Sequence, residues 1–76
     1  MRAYVFIRVQ ARKSHDVASK ISAIAGVKAA HLCWGLLDIV AQVEADNETA
    51  LESLVLGQIH AIEGVTETDT HIVVGE

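Results

Sequence analysis

Ala23-Ile24-Ala25-Gly26-Val27 returns as Ala61-Ile62-Glu63-Gly64-Val65, one change in five, 38 residues on in a chain of 76. In each copy a helical spacing of apolar residues precedes the glycine and a strand-like run follows it. Glycine tolerates the left-handed backbone just past a helix end. Each half therefore reads as strand, helix, glycine stop, strand.

Working back from Gly26, Val17, Ile21 and Ile24 fall at i, i+4 and i+7, one buried stripe. Ser14 is the expected N-cap, and Asp16 suits the positive end of the helix dipole. Before it, residues 2–10 alternate with period two. Ala3, Val5, Ile7 and Val9 share one face; Tyr4, Phe6, Arg8 and Gln10 share the other. Forward from Gly26, residues 27–33 form a second strand, Gly35 lies in a turn, and residues 38–45 form a third strand. Asp46 or Asn47 caps a second helix whose stripe is Leu51, Leu54, Val55, Ile59 and Ile62. Gly64 ends it, and residues 65–74 are the last strand.

The order is βαββαβ. Two βαβ units with right-handed crossovers interlock into one antiparallel four-stranded sheet, spatial order 4-1-3-2, an α+β ferredoxin-like arrangement. Both helices fall on one sheet face. The other face, which carries Tyr4 and Phe6 or their opposite set, is left bare, and a contiguous apolar patch of this kind marks an interface. Face-to-face pairing of two sheets about a twofold axis, a dimeric α+β barrel, is the expected assembly. Size argues the same way. A chain this short buries only about 60% of its unfolded surface, and oligomerisation is the common remedy.

All six Lys and Arg lie in residues 1–38 against Asp16 and Asp38, while residues 39–76 carry eight carboxylates and no Lys or Arg. The halves are thus +4 and −8, a split that can steer copies together. No run reaches the roughly 18 apolar residues of a membrane span, and no signal peptide is visible. With one cysteine, Cys33, there is no internal disulfide, so a reducing cytoplasm is the expected setting.

Catalytic and metal signatures are weak. His15, His31, His60 and His71 are spread over two helix ends and opposite sheet edges, where zinc ligands would have to converge. Cys33 sits in an apolar run without a basic neighbour. No G-x-S-x-G, P-loop or G-x-G-x-x-G occurs. The net charge of −4 and the lack of a helix-turn-helix or basic stripe oppose direct nucleic-acid binding. No catalytic residue, metal or cofactor is assigned.

The binding candidates are two. The turn Trp34-Gly35-Leu36-Leu37-Asp38 offers backbone amides for a carboxylate and, in Asp38, an acid for an ammonium, which is what a zwitterion requires. A plain hairpin with Asp38 bonded to the turn backbone is the structural alternative. Thr68 and Thr70 point to one face of the last strand, opposite Glu67, Asp69 and His71, and are placed to orient a ligand beside a small polar pocket.

The spacing Gly26-Val27, Gly35, Asp38 resembles the G-V-x7-G-x-x-D pattern of the Lrp/AsnC effector domain. Residues 64–74 are similar to that domain's closing G-V-x-x-T-x-T-x-I-V strand, and Ala3-Tyr4-Val5-Phe6-Ile7 to its first strand. The chain begins at that first strand and so resembles the stand-alone members, called RAM domains, over residues 1–76. The resemblance implies sheet-to-sheet dimers, rings of dimers (often four, an octamer), and small amino acids bound in clefts between dimers. It assigns Gly35, Leu36, Leu37 and Asp38 to the turn side of the cleft and adds Thr68 and Thr70 to its lining. Trp34 replaces the family's small polar residue and Leu37 its usual aromatic; Trp34 either fills the pocket or supplies a stacking wall. The function implied is a non-catalytic, amino-acid-binding module of transcriptional or metabolic regulation. A small dimeric α+β barrel enzyme, with His31 or His71 inside the barrel, is the first rival. A structural module co-assembling with full-length Lrp/AsnC regulators is the second. An ACT-type module shares the strand order but usually lies within larger enzymes.

Overall fold

The computed structural model describes residues 1–35 and 38–75. The alternation of the first segment is realised in β1 (Arg2–Val9), where Ala3, Val5, Ile7 and Val9 are buried. Then come α1 (Ser14–Ser22), β2 (Val27–Leu32), β3 (Ile39–Glu44), α2 (Glu48–Glu52) continued by a π-helical segment (Ser53–Ile59), and β4 (Val65–Ile72). The sheet runs β2-β3-β1-β4, all pairs antiparallel, the expected 4-1-3-2 order read from the other edge.

The core lies between one sheet face and the helices. Val17 and Ile21 from α1, and Leu51, Leu54, Val55 and Ile59 from the second helix, pack on Val5, Ile7, Ile39, Ala41 and Val43. Among the described residues no polar side chain is buried, so the fold rests on apolar burial, about 1.5–3 kcal/mol per large side chain. Both repeat glycines take the predicted left-handed backbone, Gly26 at φ +96° and Gly64 at φ +107°. Each also joins its half to the other half's strands: Glu44 N–H donates to Gly26 O and Gln10 N–H to Gly64 O, both at 2.8 Å.

Two details depart from the sequence reading. Ser14 is not the N-cap of α1. Lys13 holds that position without a side-chain cap, because the first helical bond is Val17 N–H to Lys13 O, at 2.9 Å. Asn47 does cap α2, its Oδ1 accepting Ala50 N–H at 2.8 Å. The second departure is the π-helix. Helix starts Ser14 and Glu48 are 34 residues apart, whereas Gly26 and Gly64 are 38 apart, so the second half carries four extra residues. Four is not a whole number of 3.6-residue turns. Widened turns, with His60 N–H on Val55 O five residues back, take up the excess and keep Leu51, Leu54, Val55 and Ile59 on one face.

The halves also share a bulge. On β2, Val27 and Ala29 oppose adjacent Val43 and Gln42, leaving Lys28 extra; on β4, Val65 and Glu67 oppose Val9 and Arg8, leaving Thr66 extra. Lys28 and Thr66 are again 38 apart. Each bulge bends an outer strand just after its glycine.

The helix-free face is set by the same register. Phe6 stands between Val40 and Asp69, and Tyr4 between Gln42 and His71. Tyr4 is exposed, and Phe6, Val40 and Ala29 are half-buried. Arg2, Arg8, Glu44 and Glu67 surround them, so an apolar centre has a charged rim of both signs.

Candidate functional site

Asp38 is placed by the end of the β1–β3 ladder. Its N–H donates to Ile7 O at 3.2 Å, and its carbonyl accepts Cys33 N–H at 2.8 Å. Its carboxylate Oδ2 accepts Val9 N–H at 2.9 Å. That amide has run past the regular ladder, and the side chain supplies the acceptor the ladder lacks. Asp38, through its carboxylate, thus bonds β1 rather than the backbone of its own turn, and ties the turn to β1. Replacing it with Ala is expected to cost about 1.5–3 kcal/mol, the range for a hydrogen bond to a charged group. Asn, which keeps an acceptor oxygen, should recover much of that; urea denaturation of the two variants checks the ranking.

Trp34 is fully exposed and Gly35 has φ +129° with open space where a Cβ would be. An open groove of about 620 Å³ lies beside them, lined also by Arg12, His15, Cys33 and Asp38. Arg12 itself has φ +73°, a left-handed backbone uncommon for a residue with a long side chain. The readings on Leu36 and Leu37 lie outside the described residues.

Thr68 and Thr70 pair with Ile7 and Val5, which puts them on the helix side of the sheet, opposite Glu67, Asp69 and His71. They line a second groove, of about 340 Å³, between β4 and the second helix, with Leu56, Ile72, Glu48 and Glu52. Thr68 Oγ1 is 2.7 Å from His60 Nε2, which ties the helix end to the strand. Arg12 and His15 in one groove, and Glu48, Glu52, Leu56 and Ile72 in the other, were not singled out from sequence as ligand-lining residues. Glu48 and Glu52 at i, i+4, beside apolar Leu51, Val55 and Leu56, were the available signal for the second.

The two halves of the predicted site do not meet within one chain. The turn ends β2 and the threonines lie on β4, at opposite edges of the sheet. Three strand spacings, about 14 Å, separate the β2 end of the turn from β4, and Asp38, at the root of β3, is two strands away from β4. On the helix-free face His71 Nε2 lies 3.0 Å from Asp69 Oδ2, and its ring meets Phe6 edge-on at 5.1 Å between centroids. Among the described residues no group of three or more His, Cys, Asp or Glu gathers to hold a metal ion, and no helix is long and apolar enough to cross a membrane.

The family model described as the Lrp/AsnC ligand binding domain matches residues 2–76. TTHA0845 from Thermus thermophilus superposes with a TM-score of 0.94 at 25% identity, covering 99% of this chain and 94% of that one. The hypothetical protein PHS023 from Pyrococcus horikoshii gives 0.90 at 27% identity, covering 99% and 90%. The transcriptional regulator NMB0573 from Neisseria meningitidis, in its complex with L-Met, shares the fold (0.87, 18% identity), with 99% of this chain on 50% of that one. No curated protein sequence matches this chain.

Proposed function

Because this chain belongs to the Lrp/AsnC ligand-binding domain family, we propose that it is a regulatory, non-catalytic module whose copies pair sheet to sheet and bind a small amino acid between the pairs. The observation that carries this reading is the split site. A turn with Asp38 and free space at Gly35 stands at one sheet edge, and a polar-rimmed groove with Thr68 and Thr70 stands at the other. Only a second copy can bring them together. The turn then supplies amides and a carboxylate, and the groove supplies hydroxyls and apolar wall. The methionine held by the Neisseria regulator is a ligand of this chemical class.

Ligand bound between copies stabilises the assembled state by linkage. Under this reading residues 1–76 act as a single ligand-binding domain in the cytoplasm. Its partners are itself, as a ring of dimers, and full-length regulators of the family whose domains pair in the same way. The test is a thermal melt with each amino acid at millimolar concentration, alongside solution mass. At ten times its Kd, an effector adds about 1.4 kcal/mol, which raises Tm by roughly 6–11 °C in a domain of this size. If no amino acid moves either Tm or mass, sensing is refuted.

A second reading has one observation in its favour. His31 and His71, the latter held by Asp69, both stand on the helix-free face. Sheet pairing would enclose them, as an acid–base enzyme of the dimeric barrel type requires. A crystal structure of the pair with His71 packed against the partner and no cavity at its ring would dispose of this reading.

A further inference from the structure

We infer that pairing of the sheets is coupled to proton uptake at His71, so that copies associate more tightly as the solution falls from about pH 8 to about pH 6, the range in which histidine changes charge. The inference rests on the sheet-to-sheet pairing proposed above and adds its regulation. His71 and Asp69 stand on the helix-free side of β4, opposite Tyr4 and Phe6 of β1. Asp69 Oδ2 lies 3.0 Å from His71 Nε2, and the imidazole meets the Phe6 ring edge-on at 5.1 Å between centroids. Both polar side chains are more than half exposed in the single protomer. Phe6 is the apolar centre of the face, so a second sheet laid over it takes water from both.

The surrounding charges give the sign. Arg2 and Arg8 of β1 share the face with Glu44 of β3 and Glu67 of β4. Lys28 joins Arg2 and Glu44 around a notch at one end of the sheet, and Asp38 at the other end is taken up by Val9 N–H. Arg8 lies 3.7 Å from Glu67, whereas Asp69 has no ion-pair partner but His71 among the described residues. A second copy brings the same set, with its carboxylates again outnumbering its fixed cations. With a neutral imidazole, pairing buries Asp69 as an unneutralised carboxylate on each copy. With an imidazolium, the same two side chains go in as a neutral, hydrogen-bonded pair. Taking net charge out of water is the larger cost. The paired state therefore holds the proton more firmly than the separate protomer. Linkage then makes pairing stronger as pH falls, and the gain is lost as pH rises through the histidine range. His31, the other histidine of this face, is on β2 at the far edge and makes no ion pair among the described residues, so its own charging opposes burial.

Sedimentation equilibrium across this pH range tests the coupling. The dissociation constant of the wild-type pair should fall at least about tenfold from about pH 8 to about pH 6, since one proton per copy allows up to about tenfold per pH unit per copy. His71→Gln keeps a hydrogen-bond donor but cannot take a charge, and it should abolish the dependence. His31→Gln should retain it. Asp69→Asn is the decisive variant: with the surplus charge gone, it should pair in the alkaline buffer at least as tightly as the wild type does in the acidic one. A hydrogen bond that merely shapes the strand predicts the opposite, weaker pairing. All three substitutions alter exposed side chains, and unchanged far-ultraviolet circular dichroism confirms the fold. If the wild-type pair persists at nanomolar concentration, the same series on Val40→Ala, which trims the face away from His71, brings dissociation into range. A wild-type pair indifferent to pH, a rise that survives His71→Gln, or weaker alkaline pairing of Asp69→Asn would each overturn the inference and leave sheet pairing standing. A monomer at every pH, even at millimolar concentration, would overturn both.

Discussion

Gly26→Ala should remove a large part of the protein's stability. Gly26 has φ +96°, where any side chain is strained by about 1–2 kcal/mol. An added Cβ would lie 2.8 Å from Leu54 Cδ1 and 2.9 Å from the Glu44 carbonyl oxygen. The leucine could rotate, but the carbonyl belongs to the backbone of β3 and cannot move without disturbing the sheet. Overpacking of this sort adds about 1–3 kcal/mol. The total, about 2–5 kcal/mol, is a large part of the roughly 4–11 kcal/mol that 76 residues provide. Gly64→Ala serves as the internal comparison. It has similar backbone strain, at φ +107°, but its neighbours are side-chain atoms of Lys13 and Val17 at 3.2 Å, which can give way. Denaturation of both variants should place Gly26→Ala clearly lower. Equal losses would mean that backbone conformation alone decides, and that the contact with β3 is unimportant.

Phe6→Glu should abolish pairing while leaving the protomer folded. Phe6 sits at the centre of the helix-free face, between Val40 and Asp69, and contributes nothing to the buried core. In a twofold pair it meets the partner's face, so the substitution acts twice. Burying an unpaired carboxylate there, beside Asp69, costs at least about 3 kcal/mol per copy. Light scattering should report a monomer at micromolar concentration, with unchanged far-ultraviolet circular dichroism. A dimer of wild-type mass would show that copies meet through some other surface.

The strands, helices and sheet order were legible because each depends on a short-range signal. The alternation of Ala3, Val5, Ile7 and Val9 fixes which side of β1 is buried. The repeated glycine marks the left-handed turn that leads into β2 and β4, a few residues beyond the helix caps Ala23 and His60. The π-helical turns were not legible in the same way, because they arise from a mismatch between halves. That mismatch appears only when helix starts are compared with helix ends. Ser14 misled because a good capping residue sits one position inside the first helical hydrogen bond. Asp38 stood out in the sequence as an acid at the root of a strand, but its bond to Val9 depends on where β3 ends against β1, a tertiary fact. The grooves were the hardest part. Glu48 and Glu52 approach Thr68 and Thr70 only because the second helix lies along β4, and the left-handed backbone at Arg12 leaves no mark on local composition.

The matched kinks at Lys28 and Thr66 bear on the chain's survival in a crowded cell. The outermost strands, β2 and β4, each have a single neighbour, and an unfinished margin of this kind is a template onto which stray polypeptide can zip. Distorting both margins at their origins spoils that template without charging the interior. A molecule so treated can stay sticky on its broad side and still resist growing into fibres.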